Sequence, residues 1–257
     1  MSARRGIGPS SLSAVRTAII SCNRCVRLRR YCQDVGRVKK AAFRDDDYWA
    51  RPVPGFGDPR ARVLILGLAP AAHGANRTGR VFTGDGAGAS GDFLMAALNR
   101  AGFANITTSQ HVDDGLKLTD AYIAAAVRCA PPDNKPLPEE INTCLDHLAA
   151  EVACLPRVQV VVALGRIAWD AWLKVWARQG VVIRPKPQFA HGAVACAPRS
   201  VQSAESRVKS LVGMYHPSRQ NTNTGTVTAA MYDAVLRSVR DSLRSGDPEP
   251  RSTHQRR

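Results

Sequence analysis

The chain has 257 residues, with 36 Lys and Arg against 21 Asp and Glu, so its formal net charge is +15. Such a charge favours a polyanionic partner, with nucleic acid as the default, and an apolar fraction of 44% supplies a sizeable core. No apolar run approaches the roughly 18 residues that span a membrane, and no secretory signal is present, so we expect a reduced protein of the prokaryotic cytosol with no membrane partner.

Apolar runs and helical spacings alternate along the chain. Residues 1–13 predict a frayed start, 14–31 a helix and 32–59 a charged loop. Strands are predicted at 62–67, 122–127, 158–164 and 210–215. Helices are predicted at 91–101, from Leu137–Pro138 onward, at 166–178 and at about 226–243. The sequence therefore predicts strands and helices in alternation. A proline-punctuated segment at 184–200 leads to the fourth strand.

Continuously apolar strands separated by helices are typical of an α/β fold, a parallel sheet with both faces covered. Neither an internal repeat nor a dividing linker is found. We expect one domain at 21–243, a flexible N-terminus at 1–20 and a disordered tail at 244–257.

Four of the seven cysteines have spacings that favour a metal site. Cys22 and Cys25 form a CxxC, and Cys129 and Cys144 join the end of a predicted strand to the start of a predicted helix. Four thiolates bind zinc or a [4Fe–4S] cluster, and the scattered second pair tips the interpretation toward iron–sulfur. Cys32 competes for a ligand place, Cys154 and Cys196 are interpreted as core, and the alternative that all seven are unliganded stays open.

Three polar loops follow predicted strands, at 67–86, 128–136 and 215–225. The carboxyl ends of parallel strands share one edge of a sheet, where ligands bind. Their convergent groups would be Asp85, Asn134 and His216, with His73 nearby and Phe82 as an aromatic face. Taken singly, these residues are as easily explained by turns, a strand end or the core. Taken together on a basic chain, they favour a nucleic-acid enzyme.

Three motifs resemble the uracil-DNA glycosylase superfamily, and most closely its family 5. They are GLAPAAHGANRTGRVFTGD at 67–85, RCAPPDNKP at 128–136 and YHPSRQNTNTG at 215–225. The cysteines at 22, 25, 129 and 144 also match the iron–sulfur ligands of families 4 and 5. The resemblance implies a four-stranded parallel sheet flanked by helices, a [4Fe–4S] cluster on these cysteines, and a DNA groove at the strand ends.

The resemblance also implies an activity, the removal of uracil and other damaged bases from DNA. Leu68 and Ala69 stand where the superfamily usually has a polar residue that handles the attacking water, and Asp85 would replace it. Ala124–Ala126 stand where family 4 has an asparagine that reads uracil, so a broader range of bases is expected. The enzyme would act as a monomer on damaged duplex or single-stranded DNA after flipping the base.

The site residues expected from this resemblance fall into three groups. The catalytic residues would be Asp85, His216 and Asn134. Phe82 would stack on the base, with Gly67, Ala69 and His73 around it. DNA would be bound by Arg77, Arg80, Ser218, Arg219, Gln220 and Asn221, with Arg219 or Gln220 filling the vacated space in the duplex.

Two other functions are compatible with the residues. A non-catalytic zinc-bearing nucleic-acid-binding module would need Asp85 and His216 for folding alone. A nucleotide-binding protein with a phosphate cradle at 67–88 is weaker, because the loop has neither a GxxxxGK[ST] nor a GxGxxG order.

Overall fold

A computed structural model of the protein describes residues 11–84, 86, 88–198 and 207–245. In that part of the chain, one mixed sheet is flanked by eight helices. The strands are β1 (Phe56–Gly57), β2 (Val63–Gly67), β3 (Ala121–Ala125), β4 (Val160–Leu164), β5 (Val194–Cys196) and β6 (Ser210–Met214). The helices are α1 (Leu12–Ile20), α2 (Val26–Val38), α3 (Ala75–Thr78), α4 (Ser90–Arg100), α5 (Pro138–Ala153), α6 (Arg166–Arg178), α7 (Arg219–Asn223) and α8 (Ala229–Ser245).

The sheet has the strand order β1-β3-β2-β4-β6-β5. Its four inner strands are parallel, with Ile65 of β2 level with Ile123 of β3 and Val162 of β4. The two short edge strands pair antiparallel. The predicted α/β class is therefore confirmed, but the strand count of four is wrong, because a two-residue and a three-residue strand are too short to leave a periodic signal.

Successive residues of each inner strand point to opposite faces, which builds two separate cores. Val63 and Ile65 pack in the core formed with α4 and α8. Leu64 and Leu66 pack in the core formed with α5 and α6, where Trp169 and its neighbours fill the interior. Because both faces of the sheet are covered, every residue of the four inner strands is buried.

The beginning of the chain is more ordered than expected. Residues 14–31 form two helices instead of one, since Cys22–Cys25 lie in the turn between α1 and α2. Val15 and Ile19 of α1 are buried. The described part of the expected flexible N-terminus therefore contains a helix with two buried side chains. Residues 1–10 lie outside the described residues, and so do residues 246–257, which make up most of the expected tail.

The fold brings the loops after β2, β3, β4 and β6 to one edge, the carboxyl edge of the sheet. α5 begins at Pro138 with two acidic residues in its first turn, and the Glu140 carboxylate accepts a hydrogen bond from the Leu137 backbone N–H at 2.7 Å. In the described ranges, every helix is too short or too polar to cross a membrane.

Candidate active site

A cavity of about 450 Å³ opens at the carboxyl edge between the loops that follow β2, β3 and β6. Small and apolar side chains form most of its walls. It is lined by Leu68, Ala69, Ala71, Ala75, Val81, Phe82, Ala89, Ser90, Ala125, Asn134, His216, Ser218 and Arg219. Phe82, Ala69, Asn134 and His216, which were predicted to surround a base, are therefore brought together.

The Phe82 ring packs against the backbone of Gly67. A Cβ atom built on Gly67 would lie 2.8 Å from Cε2 of that ring, and one built on Gly91 would lie 2.3 Å from the Phe82 carbonyl oxygen. The two glycines thus allow an approach that any side chain would prevent. Gly67 thus makes room for the Phe82 ring; it is not among the residues that line this cavity, and its contact with the base stays a prediction. Phe82 itself has φ = 54°, a strained conformation that is typical of functional sites.

The His216 imidazole faces the Phe82 ring, with centroids 6.0 Å apart and planes 29° from parallel. Burial lowers the pKa of His216 from 6.5 to about 4, because the imidazolium loses solvation. The ring is therefore neutral at pH 7 and carries one N–H donor. The two rings lie side by side in the cavity lining, which offers a flat heterocycle an aromatic face next to an N–H donor.

Short internal hydrogen bonds fix the loop that carries His216. The Asn221 side-chain amide donates to the His216 carbonyl oxygen at 2.8 Å, and the Ser218 hydroxyl accepts from the Asn221 backbone N–H at 3.2 Å at the start of α7. Ser218 and Asn221 thus hold the loop in shape, whereas Arg219 and Gln220 are exposed beyond it. A DNA contact by Ser218 or Asn221 would therefore involve a hydroxyl or an amide that already forms a hydrogen bond within the loop.

Asn134 enters the cavity from the loop after β3. It follows two prolines, and both Asp133 and Asn134 have positive φ, 53° and 56°. Such a turn places an exposed amide at the cavity mouth. Asp85, the other predicted catalytic residue, lies outside the described residues.

Arg77 and Arg80 have a role other than the predicted DNA contact. The Arg80 guanidinium is buried, with its donors directed to Asp114 at 2.6 Å, to Thr83 and to Ser109. Arg77 pairs with Asp46 and donates to the Gly84 carbonyl oxygen at 2.6 Å.

The prediction that Arg80 contacts DNA is therefore wrong, because its charge is used inside the protein. Arg77 is also mostly engaged, with 14% of its side chain exposed. Both arginines brace the loop between β2 and α4 that carries Phe82.

His73 lines a second cavity, of about 460 Å³, and not the first one. Its Nδ1 atom is 3.0 Å from the Tyr48 hydroxyl, and burial lowers its pKa. The second cavity is lined by Tyr31, Lys40, Phe43, Ala71, Ala72, His73, Gly74, Gly86, Pro131, Asp133, Asn134 and Arg219. The base contact expected of His73 stays a prediction, and the structure places this side chain at the second cavity.

The cysteines at 129 and 144 lie in one buried cluster, with Cys32 inside it and Cys25 against it. Burial raises the pKa of the Cys144 thiol to about 12. The pKa of Cys25 is raised by burial and by the nearby Cys129, and that of Cys129 by its hydrogen bond with Cys32 and by burial. Within the described ranges, no three His, Cys, Asp or Glu side chains stand arranged around a point where a metal ion would sit.

The surroundings of these thiols fit an electron-rich group bound through thiolates. The Arg128 backbone N–H donates to the Cys144 sulfur at 3.3 Å, and the charge of Arg128 lowers the pKa of that thiol against the effect of burial. Two guanidinium nitrogens of Arg128 are buried without a hydrogen-bond partner in the described part of the chain. Cys154 and Cys196 lie outside the cluster and are partly exposed, so their assignment to the core is wrong.

Two features near the site were missed by the sequence reasoning. Arg128 forms a fully buried ion pair with Glu151 at 2.7 Å, and Glu151 also accepts from the Tyr122 hydroxyl. Arg166 begins α6 directly after β4 and is exposed at the carboxyl edge, with its guanidinium 5.9 Å from the Phe189 ring centroid. A basic residue next to a strand-ending glycine was the available signal for Arg166.

Comparison with known proteins adds a family to this geometry. The family model described as the uracil DNA glycosylase superfamily matches residues 54–240. A Type-5 uracil-DNA glycosylase of Thermus thermophilus is 49% identical over 219 residues, which cover 85% of this chain and 92% of that protein. One of Mycobacterium tuberculosis is 45% identical over 234 residues, 91% of this chain and 82% of that protein. A Type-4 enzyme of Archaeoglobus fulgidus is 30% identical over 159 residues, 62% of this chain and 61% of that protein.

Proposed function

The chain belongs to the uracil-DNA glycosylase superfamily, and we propose from this that it starts base excision repair by removing uracil and other damaged bases from DNA. It is a hydrolase of N-glycosidic bonds. The observation that supports this best is the cavity of about 450 Å³ in which Phe82 and a neutral His216 face each other. A flipped base in this cavity would stack on Phe82 and place a carbonyl oxygen at the imidazole, which lines the cavity beside it.

DNA is bound through its phosphates by the exposed cations around this edge. Arg219 is exposed on α7 and lines the cavity, and Arg166 is exposed at the start of α6. Neutralising phosphates releases counterions, so affinity falls steeply with salt. The target nucleotide must leave the stack, because its glycosidic carbon is out of reach inside a duplex. Arg219 or Gln220, exposed on the same short helix, would then fill the space in the duplex.

Cleavage of the bond between base and sugar leaves positive charge on the sugar and negative charge on the departing base. His216 donates its N–H to a carbonyl oxygen of the base, where the negative charge develops. A neutral imidazole suits this role, since it stabilises the anion without having to give up a proton. Water then adds to the sugar carbon, and the proton that it loses ends on the departing base, so the products are a neutral free base and an abasic site.

We assign the handling of this water to Asp85 and Asn134. Leu68 and Ala69 line the first cavity and carry no group that holds water. A carboxylate at Asp85 would stabilise the sugar cation or orient the water, and the exposed amide of Asn134 would help to position the water or the base. Since the arginines that hold Gly84 and Thr83 fix the loop immediately before Asp85, the loop has the rigidity that such a role needs.

We expect the enzyme to remove a broad range of damaged bases. Alanines are five of the thirteen residues that line the first cavity, and Ala125 at the end of β3 has no side-chain amide that would select uracil. A pocket without such a hydrogen-bonding test discriminates weakly between related rings. Deaminated purines are therefore proposed as substrates next to uracil.

We propose that Cys22, Cys25, Cys129 and Cys144 hold a [4Fe–4S] cluster with a structural role. When bound, the group supplies four iron–sulfur bonds that tie the turn between α1 and α2 to the end of β3 and to α5. Ala69 of the first cavity and Tyr31 of the second both pack against the cysteine cluster. Holding these cysteines together thus also holds a wall of each cavity.

The test is base release from duplexes that each contain a single lesion, with the wild type and with Asp85→Asn. We expect release of uracil by the wild type and a loss of about 10²–10⁴-fold in the variant, the usual contribution of a group that moves a proton or positions water. A folded Asp85→Asn protein that cleaves at the wild-type rate would show that the assignment of Asp85 is wrong.

The same experiment separates the enzyme from a non-catalytic zinc-bearing module. Such a module would bind DNA, contain zinc in metal analysis and release no base from any duplex.

We further propose that the protein acts as a monomer in the cytosol. Cysteines that serve as cluster ligands suit a reducing compartment, which keeps thiols from forming disulfides. Sedimentation with and without DNA tests the oligomeric state.

A further inference from the structure

The second cavity adjoins the first one. Ala71, Asn134 and Arg219 line both of them. At about 460 Å³, the second cavity is as large as the first, which has about 450 Å³. The mechanism uses the first cavity alone, so a second space of equal size beside it is left without a role.

The walls of the second cavity carry two aromatic rings and a cation. Tyr31 comes from α2, Phe43 from the turn after it, and Lys40 is exposed between them. The Arg77 guanidinium lies 4.0 Å from the centroid of the Phe43 ring and is itself paired with Asp46. Phe43 is thus held in place on an otherwise exposed turn, where a free ring would be expected to move.

We propose that the second cavity binds the nucleotide next to the lesion in the same DNA strand, with its base against Phe43 and its phosphate near Lys40. This inference rests on the proposed function, since it places the flipped base in the first cavity. Two neighbouring nucleotides are joined by one phosphate, and two cavities that share three lining residues offer them adjoining places.

The chemistry of the lining favours a nucleotide over other occupants. Aromatic faces accept any base by stacking, without sequence preference, and a nearby cation satisfies the phosphate. An apolar ligand would leave Lys40 and Arg219 unused, and a bare phosphate would leave the two rings unused. Binding a second unstacked nucleotide would also help to hold the flipped one out of the helix, and it would allow the enzyme to act on single strands.

The test uses single-stranded oligonucleotides with one uracil, in which the base on its 5′ or its 3′ side is replaced by an abasic analogue. For the wild type, we expect one of the two replacements to lower kcat/KM by roughly 5- to 100-fold, the range of base–aromatic stacking. Phe43→Leu keeps an apolar contact for Arg77 but has no aromatic face. In this variant, the same abasic replacement should therefore lower kcat/KM much less than it does in the wild type. Phe43→Trp should retain the wild-type effect.

A charge variant with a matched control tests the phosphate contact. Lys40→Gln should reduce the slope of log(kcat/KM) against log[salt] by about 1, which corresponds to the loss of one phosphate contact. Arg244→Gln removes a charge from the last turn of α8, at the opposite end of the fold, and should change neither the salt dependence nor the effect of the flanking base.

The inference is overturned if neither replacement affects the wild type, or if Phe43→Leu responds to them as the wild type does. Both outcomes still show release of uracil. Failure of the proposed function is a different result, namely that the folded wild type releases no uracil from any oligonucleotide or duplex.

Discussion

Replacing Gly67 by alanine tests whether the pocket depends on the position of the Phe82 ring. The added Cβ atom would lie 2.8 Å from Cε2 and 3.0 Å from Cζ of Phe82, whereas ordinary contact begins at 3.4 Å. The ring must therefore retreat by roughly 0.6–1 Å, the difference from normal carbon–carbon separations. Overpacking of this kind costs about 1–3 kcal/mol of stability. A displacement of about 1 Å at a reacting centre lowers rates by up to about 10²-fold.

The assay is kcat/KM on a uracil-containing duplex together with urea unfolding of the same proteins. Gly67→Ala is compared with Phe82→Leu and with the double variant, because leucine removes the ring atoms that the new methyl group would meet. We expect Gly67→Ala to cost clearly less stability in the Phe82→Leu background than beside the native phenylalanine, a coupling of about 1 kcal/mol. Additive costs, or a wild-type rate for Gly67→Ala, would refute the argument.

Folding lowers the pKa of His216 from 6.5 to about 4, so below pH 6.5 the unfolded chain binds a proton that the folded chain does not. The stability advantage of the wild type over His216→Asn should thus shrink between pH 6.5 and 4 in urea unfolding, and a constant difference would contradict a neutral imidazole. Glu151→Gln leaves the buried Arg128 unpaired and should lower the free energy of unfolding by about 3–5 kcal/mol. Asp146→Asn, which removes exposed ion pairs, should lower it by at most about 1 kcal/mol. Equal losses in urea unfolding would count against the buried pair. Cys22→Ser should lower bound iron and the brown absorbance while Cys196→Ser should not, and retention of both by Cys22→Ser would remove that ligand from the set.

The centre of the fold was predictable because its signals are local and long. The helix over 166–178 and the start of α5 agree with the structure to the residue, and the four inner strands agree to within two residues at each end. The edge strands β1 and β5 were missed, since pairing of two or three residues depends on a neighbouring strand and not on their own pattern. The same holds for α3 and α7, each of which is a single turn inside a polar loop.

The site was predictable to the level of loops, less so to the level of side chains. Residue type and position at a strand end correctly brought Phe82, Asn134 and His216 to one cavity. The sequence could not tell an exposed arginine from a buried one, because that depends on partners such as Asp114, which is distant in the chain. It also could not divide one edge into two cavities, so the position of His73 at the second one was not predicted.

The buried arginines change how the net charge should be interpreted. A charge of +15 suggests a broad DNA-binding surface, yet Arg77, Arg80 and Arg128 use their guanidinium groups within the protein. Two of them brace the loop of the first cavity, and the third lies against the cysteine cluster. Part of the basic excess therefore stabilises the walls of the site, and DNA affinity must come from the remaining exposed cations at the carboxyl edge. Substituting a bracing arginine should then alter the rate of cleavage more than the salt dependence of binding, because only exposed cations release counterions from DNA.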